Sequence, residues 1–274
     1  MEDIKKGRWR HYKGNDYEVL DMARHSETLE PMVVYRALYG EGGVWVRPAA
    51  MWHETVHVTG ASTARFTYTG DMALSLRPET PDDYRITENL TREAFWNLMR
   101  PGCDEHFVLH AMRGDSAFIP ELDIVAELDG RIVGHIVYTR SAVTDRDGVC
   151  HETITFGPVT VLPEYQKRGI GARLIFHTLD MARELGYGAV IILGHPAYYP
   201  RLGFRRAAEF GLTLENGEAF DAFMALELKP GSLSSLGGGV YRYAQVFNTD
   251  PAAVDLFDLN FPPKEKRAAG ANDI

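Results

Sequence analysis

The sequence predicts an α/β (α+β) chain, in which a mixed sheet with flanking helices follows a small, all-β, barrel-like unit. Three observations carry that prediction. Short aromatic and β-branched runs, punctuated by glycine turns, crowd residues 1–70. Helical and strand periodicities then alternate over residues 71–230. Within that stretch the apolar pentad Ala189-Val-Ile-Ile-Leu193 reads as a strand buried on both faces, the kind found in the middle of a sheet.

At 274 residues the chain can hold one large domain or two modest ones, each with a core. The pattern changes near Thr69-Gly70-Asp71, which sets a β-rich domain over 1–70 apart from a mixed domain over 71–230. Residues 231–274 read as an extension: a Gly/Ser-rich link, a strand at Val240-Tyr-Arg-Tyr243, and a charged tail whose last eight or so residues are expected to be disordered. The N-terminus lacks the apolar segment of a secretory signal, and no apolar run approaches membrane-spanning length. Cys103 and Cys150, the only cysteines, form no C-x-x-C pair, so a reduced, cytoplasmic setting is expected. Residues 1–70 hold 9 Lys+Arg and 9 Asp+Glu, so the rest of the chain carries the whole formal charge of −9. An acidic domain disfavours general nucleic-acid binding, which needs a basic face, and is compatible with a cationic amine.

In the first domain Asp16-Tyr-Glu-Val-Leu20, 32–39 and Val44-Trp-Val-Arg-Pro48 read as strands, with turns at Gly14-Asn15 and Gly40-Glu-Gly-Gly43. Trp9, Trp45 and Trp52 fall here, so aromatic area is expected to supply much of a small core. After a brief strand at Leu74-Ser-Leu-Arg77, Thr80-Pro81-Asp82-Asp83 is a helix start: a Thr cap, Pro in the first position and acids in the first turn. That helix is expected to reach about Phe95-Trp96, and a second to span Asp104 to Met112. Ile124 to Leu128 and Arg131 to Tyr138, joined by Asp129-Gly130, form a hairpin with a type I′ turn. A loop at Asp145–Gly148 precedes a long strand from Cys150 to Leu162. Gly157-Pro158 interrupts that strand, because proline lacks a donor and glycine weakens the ladder; a bulge or splay is expected there. Apolar residues from Ile170 to Leu185 follow helical spacing up to Gly186. From residue 74 the predicted order is β-α-α-β-β-β-α-β-α-β-β.

The chemistry concentrates at Gln166-Lys167-Arg168-Gly169-Ile170-Gly171-Ala172. A strand, a short loop and a helix opening at Gly169 present unpaired N–H groups at one point, where the helix dipole favours a pyrophosphate. The turn lacks the Gly-Lys-Ser/Thr end of a Walker loop, and Leu174 stands where the dinucleotide fingerprint wants glycine.

Residues 159–174, Val159-Thr-Val-Leu-Pro-Glu-Tyr-Gln-Lys-Arg-Gly-Ile-Gly-Ala-Arg-Leu174, resemble the acyl-CoA motif of the GNAT (Gcn5-related N-acetyltransferase) superfamily, Gln/Arg-x-x-Gly-x-Gly/Ala. Ala197-Tyr-Tyr-Pro-Arg-Leu-Gly-Phe204 is similar to its second motif, and 193–204 together resemble the YhbS-like bacterial branch. The resemblance covers roughly residues 72–245. It implies a mixed sheet splayed between two central parallel strands, with acetyl-CoA as cosubstrate and no metal. It further implies that amides of Gln166, Lys167, Arg168, Gly169, Ile170, Gly171 and Ala172 hold the CoA pyrophosphate. The Val159-Thr160-Val161 main chain would pair with pantetheine, and Tyr199 would protonate the departing thiolate. An amine would attack the thioester directly, in a ternary complex, after a base removes its proton. Glu127, Glu152 and His195 are candidate bases, His195 standing where many relatives have Asn; the choice among them stays open.

Residues 7–68 resemble a second family, domain of unknown function 1653, through Gly7-Arg-Trp-Arg-His-Tyr-Lys-Gly-Asn-Asp-Tyr-Glu-Val-Leu20, Ala23-Arg-His-Ser-Glu27, Val34-Tyr-Arg-Ala-Leu-Tyr-Gly40 and Val44-Trp-Val-Arg-Pro48. His11, Arg24, His25, Arg36 and Arg47 could line a polar pocket there, and Tyr12, Tyr35 and Trp45 an aromatic cage, although core packing is the plainer use for these rings. Cys103, His106 and His110 share one helical face, but a zinc site needs a fourth ligand, so cleft lining is the simpler reading. Two functions compete: an N-acyltransferase acting on a primary amine of a small molecule or protein, and a non-catalytic acyl-CoA sensor whose N-terminal domain recognises a partner.

Overall fold

Alternating inward rings and outward charges build the first strands as an antiparallel meander. The computed structural model describes residues 4–39, 43–58, 61–70, 74–128 and 130–267. It divides into two compact units, Met1–Ala73 with Pro200–Gly203, and Leu74–Tyr199 with Phe204–Ile274. The expected turn at 40–42, Asp71, the hairpin residue Asp129 and the tail from 268 lie outside the described residues. No helix among the described residues is long and apolar enough to cross a membrane.

The first unit runs β1 (Gly7–His11), β2 (Asp16–Arg24), β3 (Pro31–Ala37), β4 (Val44–Pro48), the one-turn α1 (Ala49–Trp52), β5 (Thr55–Val58), β6 (Ala61–Ala64) and β7 (Phe66–Gly70). Five strands form a sheet in the order β4-β3-β2-β1-β7, and β5 and β6 form a hairpin. The unit is all-β apart from α1. Its core is Trp9, Val19, Val33, Tyr35, Trp52 and Phe66 with Ile4 and Ala49. Trp52 stacks flat on Phe66, ring centroids 4.0 Å apart. Trp45 departs from the expected aromatic core: it lies opposite Tyr35, but on the edge strand, where it is 59% exposed.

The second unit begins with β8 (Leu74–Pro78), α2 (Tyr84–Phe95) and α3 (Glu105–Met112). Thr80 and Asp83 exchange the two hydrogen bonds of a capping box with Pro81 in the first turn, so the helix start is placed by the residues that predicted it. Then follow β9 (Ile124–Leu128), β10 (Arg131–Ile136), β11 (Tyr138–Asp145), β12 (Cys150–Phe156), β13 (Thr160–Val161), α4 (Ile170–Glu184) and β14 (Ala189–Leu193). β15 (Arg205–Arg206), β16 (Leu212–Thr213), β17 (Phe223–Glu227), β18 (Gly239–Arg242) and α5 (Pro251–Asp258) complete it.

These strands make two sheets, β13-β10-β9-β8 and β15-β17-β14-β12-β11-β18-β16. Arg131–Tyr138, expected as one strand, breaks at Val137, just where its neighbour breaks at Gly157; the Gly157 amide donates to the Val137 carbonyl at 2.8 Å. The two chain segments therefore change sheets together. A Cβ at 157 would lie 2.7 Å from Met112 Cε, so a side chain there would oblige Met112 to shift. β12 runs parallel to β14, while β13 leaves that sheet to pair with β10. The expected splay is this divergence.

Two expectations are corrected. The helix predicted after β14 is only a 3-10 turn, Tyr199–Leu202, because Pro200 supplies no amide donor and Gly203, at φ 91°, ends the turn. The predicted charged tail contains α5, started by the Asp250 carboxylate accepting from the Ala252 amide at 3.1 Å, with Pro251 following the cap.

Candidate functional site

The opening of α4 is made by backbone conformation. Lys167 (φ 59°) and Gly169 (φ 82°) both adopt the left-handed region, and the helix starts directly after them. The first intrahelical bond is Arg173 N–H to the Gly169 carbonyl, 3.0 Å, so the amides of Ile170, Gly171 and Ala172 lack partners in the helix. No side chain caps this end and no acidic residue lies in the first turn. The result is a set of donors at the positive end of a 15-residue helix. At Gly169 the backbone itself demands glycine. At Gly171 a Cβ would meet only Tyr198 Oη and Val161 Cγ2, both at 3.6 Å, so no close contact within the protein excludes a side chain.

β13 lies beside this turn. Gln166 Nε2 donates to the Val161 carbonyl at 3.1 Å and ties the two together. β13 ends its sheet, and the Leu162 amide donates inward to the Val133 carbonyl at 2.9 Å. Strand alternation then turns the Val161 amide the other way, toward the side where the sheets part. Thr160 is buried, its hydroxyl donating to the His135 carbonyl at 3.2 Å. Arg168 is drawn back to the loop, donating to the Glu164 carbonyl and lying over Tyr165.

The half-buried Tyr199 ring packs on Phe156 and Phe204, at centroid distances of 5.7 Å to each, and edge-on to Tyr198. It fills the space beside Gly194, where a Cβ would lie 2.3 Å from the ring. Burial, with Tyr198 adding to it, pushes the phenol well above its ordinary value, so it keeps its proton throughout the physiological range. Of the candidate bases, Glu127 is held by Arg77 at 2.9 Å, and Glu152 is exposed with Arg140 3.8 Å away. His195 is exposed, and its Nδ1 accepts from the Ala197 amide at 3.2 Å.

A buried ionic cluster has no precedent in the sequence reading. Arg113 grips Glu79 through two bonds of 2.8 and 3.0 Å and reaches Glu88 at 2.9 Å; His110 Nδ1 also meets Glu88 at 2.9 Å. His135 Nε2 lies 2.6 Å from Asp123 and 3.7 Å from Glu79. Burial raises Glu79 to about 7 and Asp123 to about 6, and lowers His135 to about 4. Glu79, Asp123 and His135 are close enough to share a cation. Arg113 already supplies the positive charge, however, and takes both Glu79 oxygens, so the donor set suits an ion-pair network better than a metal. Its members come from the residue after β8, from α2, from α3 and its C-cap, from β10 and from the segment before β9, and no local spacing could have announced them.

Cys103, His106 and His110 do not converge. Cys103 Sγ is 3.4 Å from His106 Nδ1, His106 Nε2 faces Asp258 at 3.2 Å, and His110 turns to Glu88. Burial pushes the Cys103 thiol up to about 12 and lowers His106 to about 4, so thiol and imidazole both stay neutral. In the first unit Arg24 and His25 are exposed, while His11 and Arg47 meet around Phe66. Among the described residues no ring contact joins Tyr12, Tyr35 and Trp45.

A mixed α/β unit whose sheets part beside an uncapped, glycine-opened helix has the architecture of the acyl-CoA-dependent N-acyltransferase class. Comparison with known proteins agrees. Residues 84–204 match the acetyltransferase (GNAT) family and residues 7–68 match the protein family of unknown function DUF1653. In chain order, a stretch similar to the DUF1653 family is thus followed by one similar to GNAT-family acetyltransferases, including YhbS of Escherichia coli, 28% identical over 173 residues. The chain is 38% identical over 95 residues to the uncharacterized N-acetyltransferase YjhQ of Escherichia coli, a match spanning 34% of this chain and 51% of YjhQ. The chain thus spans about half the length of that relative. The crystal structure of Escherichia coli YhbS in complex with CoA is 27% identical, covers 67% of this chain and 96% of its own, and superposes with a TM-score of 0.58. A GNAT acetyltransferase from Brucella melitensis, in complex with acetyl-CoA, is 28% identical, covers 64% of this chain and 99% of its own, with a TM-score of 0.51.

Proposed function

We propose that the chain is an acetyl-CoA-dependent N-acyltransferase, passing an acetyl group to a primary amine by direct attack in a ternary complex. The observation that carries the reading is the uncapped start of α4 beside the free edge of β13. Gln166 through Ala172 hold the pyrophosphate, each charge-assisted bond contributing about 1.5–3 kcal/mol. The missing Cβ at Gly171 leaves room for it, which accounts for a glycine that costs about 1 kcal/mol inside a helix. Val159 and Val161, on either side of the inward-turned Thr160, receive pantetheine as an added strand, through main-chain groups turned toward the splay. This places the thioester where the sheets diverge, and a main-chain donor there stabilises the developing oxyanion. Tyr199, whose phenol stays protonated, gives its proton to the thiolate as the C–S bond breaks. The incoming amine loses its proton to a base, directly or through water.

The test is release of free CoA thiol from acetyl-CoA in the presence of a panel of primary amines. Amine-dependent release supports transfer. Calorimetric binding of acetyl-CoA with no release across the panel would instead make the chain an acyl-CoA sensor, with the first domain recognising a partner. If that domain instead recruits a macromolecular substrate, deleting residues 1–70 spares small-amine turnover and loses the natural acceptor.

A further inference from the structure

Two polar residues lie on the core face of the first unit's sheet. His11 follows Trp9 by two positions and stands opposite Phe66; Arg47 stands opposite Val33. Phe66 is covered on one face by the stacked Trp52. The Arg47 guanidinium also lies over the Phe66 ring, 5.5 Å from its centroid, and the His11 imidazole is tilted against it at 4.9 Å. Arg47 also reaches Tyr35, at 6.0 Å. Four other cations of this unit pair with carboxylates: Arg8 and Arg10 with Asp16, Lys6 with Asp21 and Arg65 with Glu54. Arg47 has none among the described residues. A half-buried guanidinium aimed at an apolar face is costly without a counter-charge, and cation–π contacts offset only part of that.

The surroundings of His11 are cationic as well. Arg65 precedes Phe66 at the start of β7, Arg47 comes from β4 and Lys13 from the β1–β2 turn; desolvation first, then these three charges, lower the imidazole pKa. Glu54 is engaged by Arg65 at 2.7 Å. The His11 Nδ1 accepts from the Lys13 amide at 3.4 Å, which leaves Nε2 to take the proton; the rings of Tyr12 and Tyr17 pack on the imidazole, and the Tyr17 hydroxyl is hydrogen-bonded to that of Tyr39. We infer that this rim, formed by His11, Arg47 and the paired Tyr17 and Tyr39 hydroxyls, binds an oxyanion, a carboxylate or a phosphate group seated on the Arg47 fork. The bound charge supplies what Arg47 lacks and draws a proton onto His11. The site lies wholly in the first domain and is independent of the acyltransferase reading.

The experiment follows the His11 imidazole by NMR across pH in the full chain, saturated with CoA so that the anion cannot act through the α4 turn. Inorganic phosphate and acetate are compared with chloride at matched ionic strength. The expected result is a His11 pKa that rises with phosphate or acetate; the stronger response tells a phosphate site from a carboxylate site. Arg47→Gln is expected to weaken that response about tenfold. Arg47→Lys, which keeps the charge and loses the fork, is expected to fall between and covers the case in which Arg47→Gln does not fold; the exposed Arg24→Gln leaves the response unchanged. Phosphate and acetate that leave the His11 titration as it is in chloride overturn the proposal, as does an Arg47→Gln response equal to wild type. Arg47 would then serve only to guard the edge strand β4 against pairing with another chain.

Discussion

The two units solve the problem of placing charge near a core in opposite ways. In the first, the interior is a stack of rings, and its polar groups, His11 and Arg47, sit at the rim on side chains drawn from separate strands. In the second, the donors left free by the fold are neutral main-chain amides at the start of α4. Its buried side-chain charges, Arg113 with Glu79 and Glu88, are satisfied among themselves. The difference governs what a sequence reveals. A site made of backbone needs particular residues at adjacent positions, glycine above all, and so leaves a motif. A site made of side chains gathered across strands leaves none.

Breaking the two interiors gives the largest expected effects. Trp52→Ala removes the ring stacked on Phe66 and is expected to cost about 3–5 kcal/mol. Arg113→Ala strands the buried Glu79 and Glu88 and is expected to cost a similar ~3–5 kcal/mol. Calorimetric scans check both, and sharpen the comparison if each variant shifts a different transition; a single transition lowered equally by both would merge the units thermodynamically. Next is Tyr199→Phe. It is expected to lower turnover on the order of 10²-fold with acetyl-CoA affinity unchanged, and unchanged turnover would remove the phenol from the mechanism.

A smaller effect is expected of Gly169→Ala, where a Cβ in the left-handed region costs about 1–2 kcal/mol. Calorimetry should read about tenfold weaker CoA binding, with the first domain's stability untouched. The smallest concerns pH. Glu79 and Asp123, raised to about 7 and about 6, hold protons that the unfolded chain has released, so their contribution to stability falls as pH rises toward 7. His135, lowered to about 4 from 6.5, acts in the opposite sense, and only below 6.5. Stability should therefore decline from pH 6.5 through 7, with Glu105, also raised to about 7, adding to the slope. Asp123→Asn is expected to flatten part of it in urea titrations; an identical slope would mean that Asp123 takes no part in the titration.

Most of the second unit's fold was legible because local chemistry sets it. Thr80 and Asp83 cap where they were expected to, and Ile170 to Ala182 lie along α4 as their spacing implied, whereas Leu185 falls at its C-cap, exposed. The break of the long strand at Gly157-Pro158 was foreseeable from the two residues themselves. The matching break at Val137 was not, since nothing in a Val-Tyr pair announces a change of sheet. α5 was readable in principle, through Asp250 as cap and Pro251 after it, but the charged residues beyond obscured it. Trp45 shows the converse: a large ring signals burial only if its strand lies inside the sheet. The ionic cluster joining Glu79 to His135 needed the fold, because its partners are brought together only by tertiary packing.

The docking of α5 has a practical consequence. Arg92, in the last turn of α2, is 1% exposed, and its charge is met by Asp258 through bonds of 2.6 and 3.3 Å. Farther on, the Glu265 carbonyl accepts from Trp96 Nε1 and Asn97 Nδ2 at 2.9 and 3.0 Å. An expression boundary drawn after the last strand would delete the counter-ion of a cation that has no route to water. The smallest fragment fit for crystallisation or enzymology therefore extends at least to Arg267, and an affinity tag belongs beyond it.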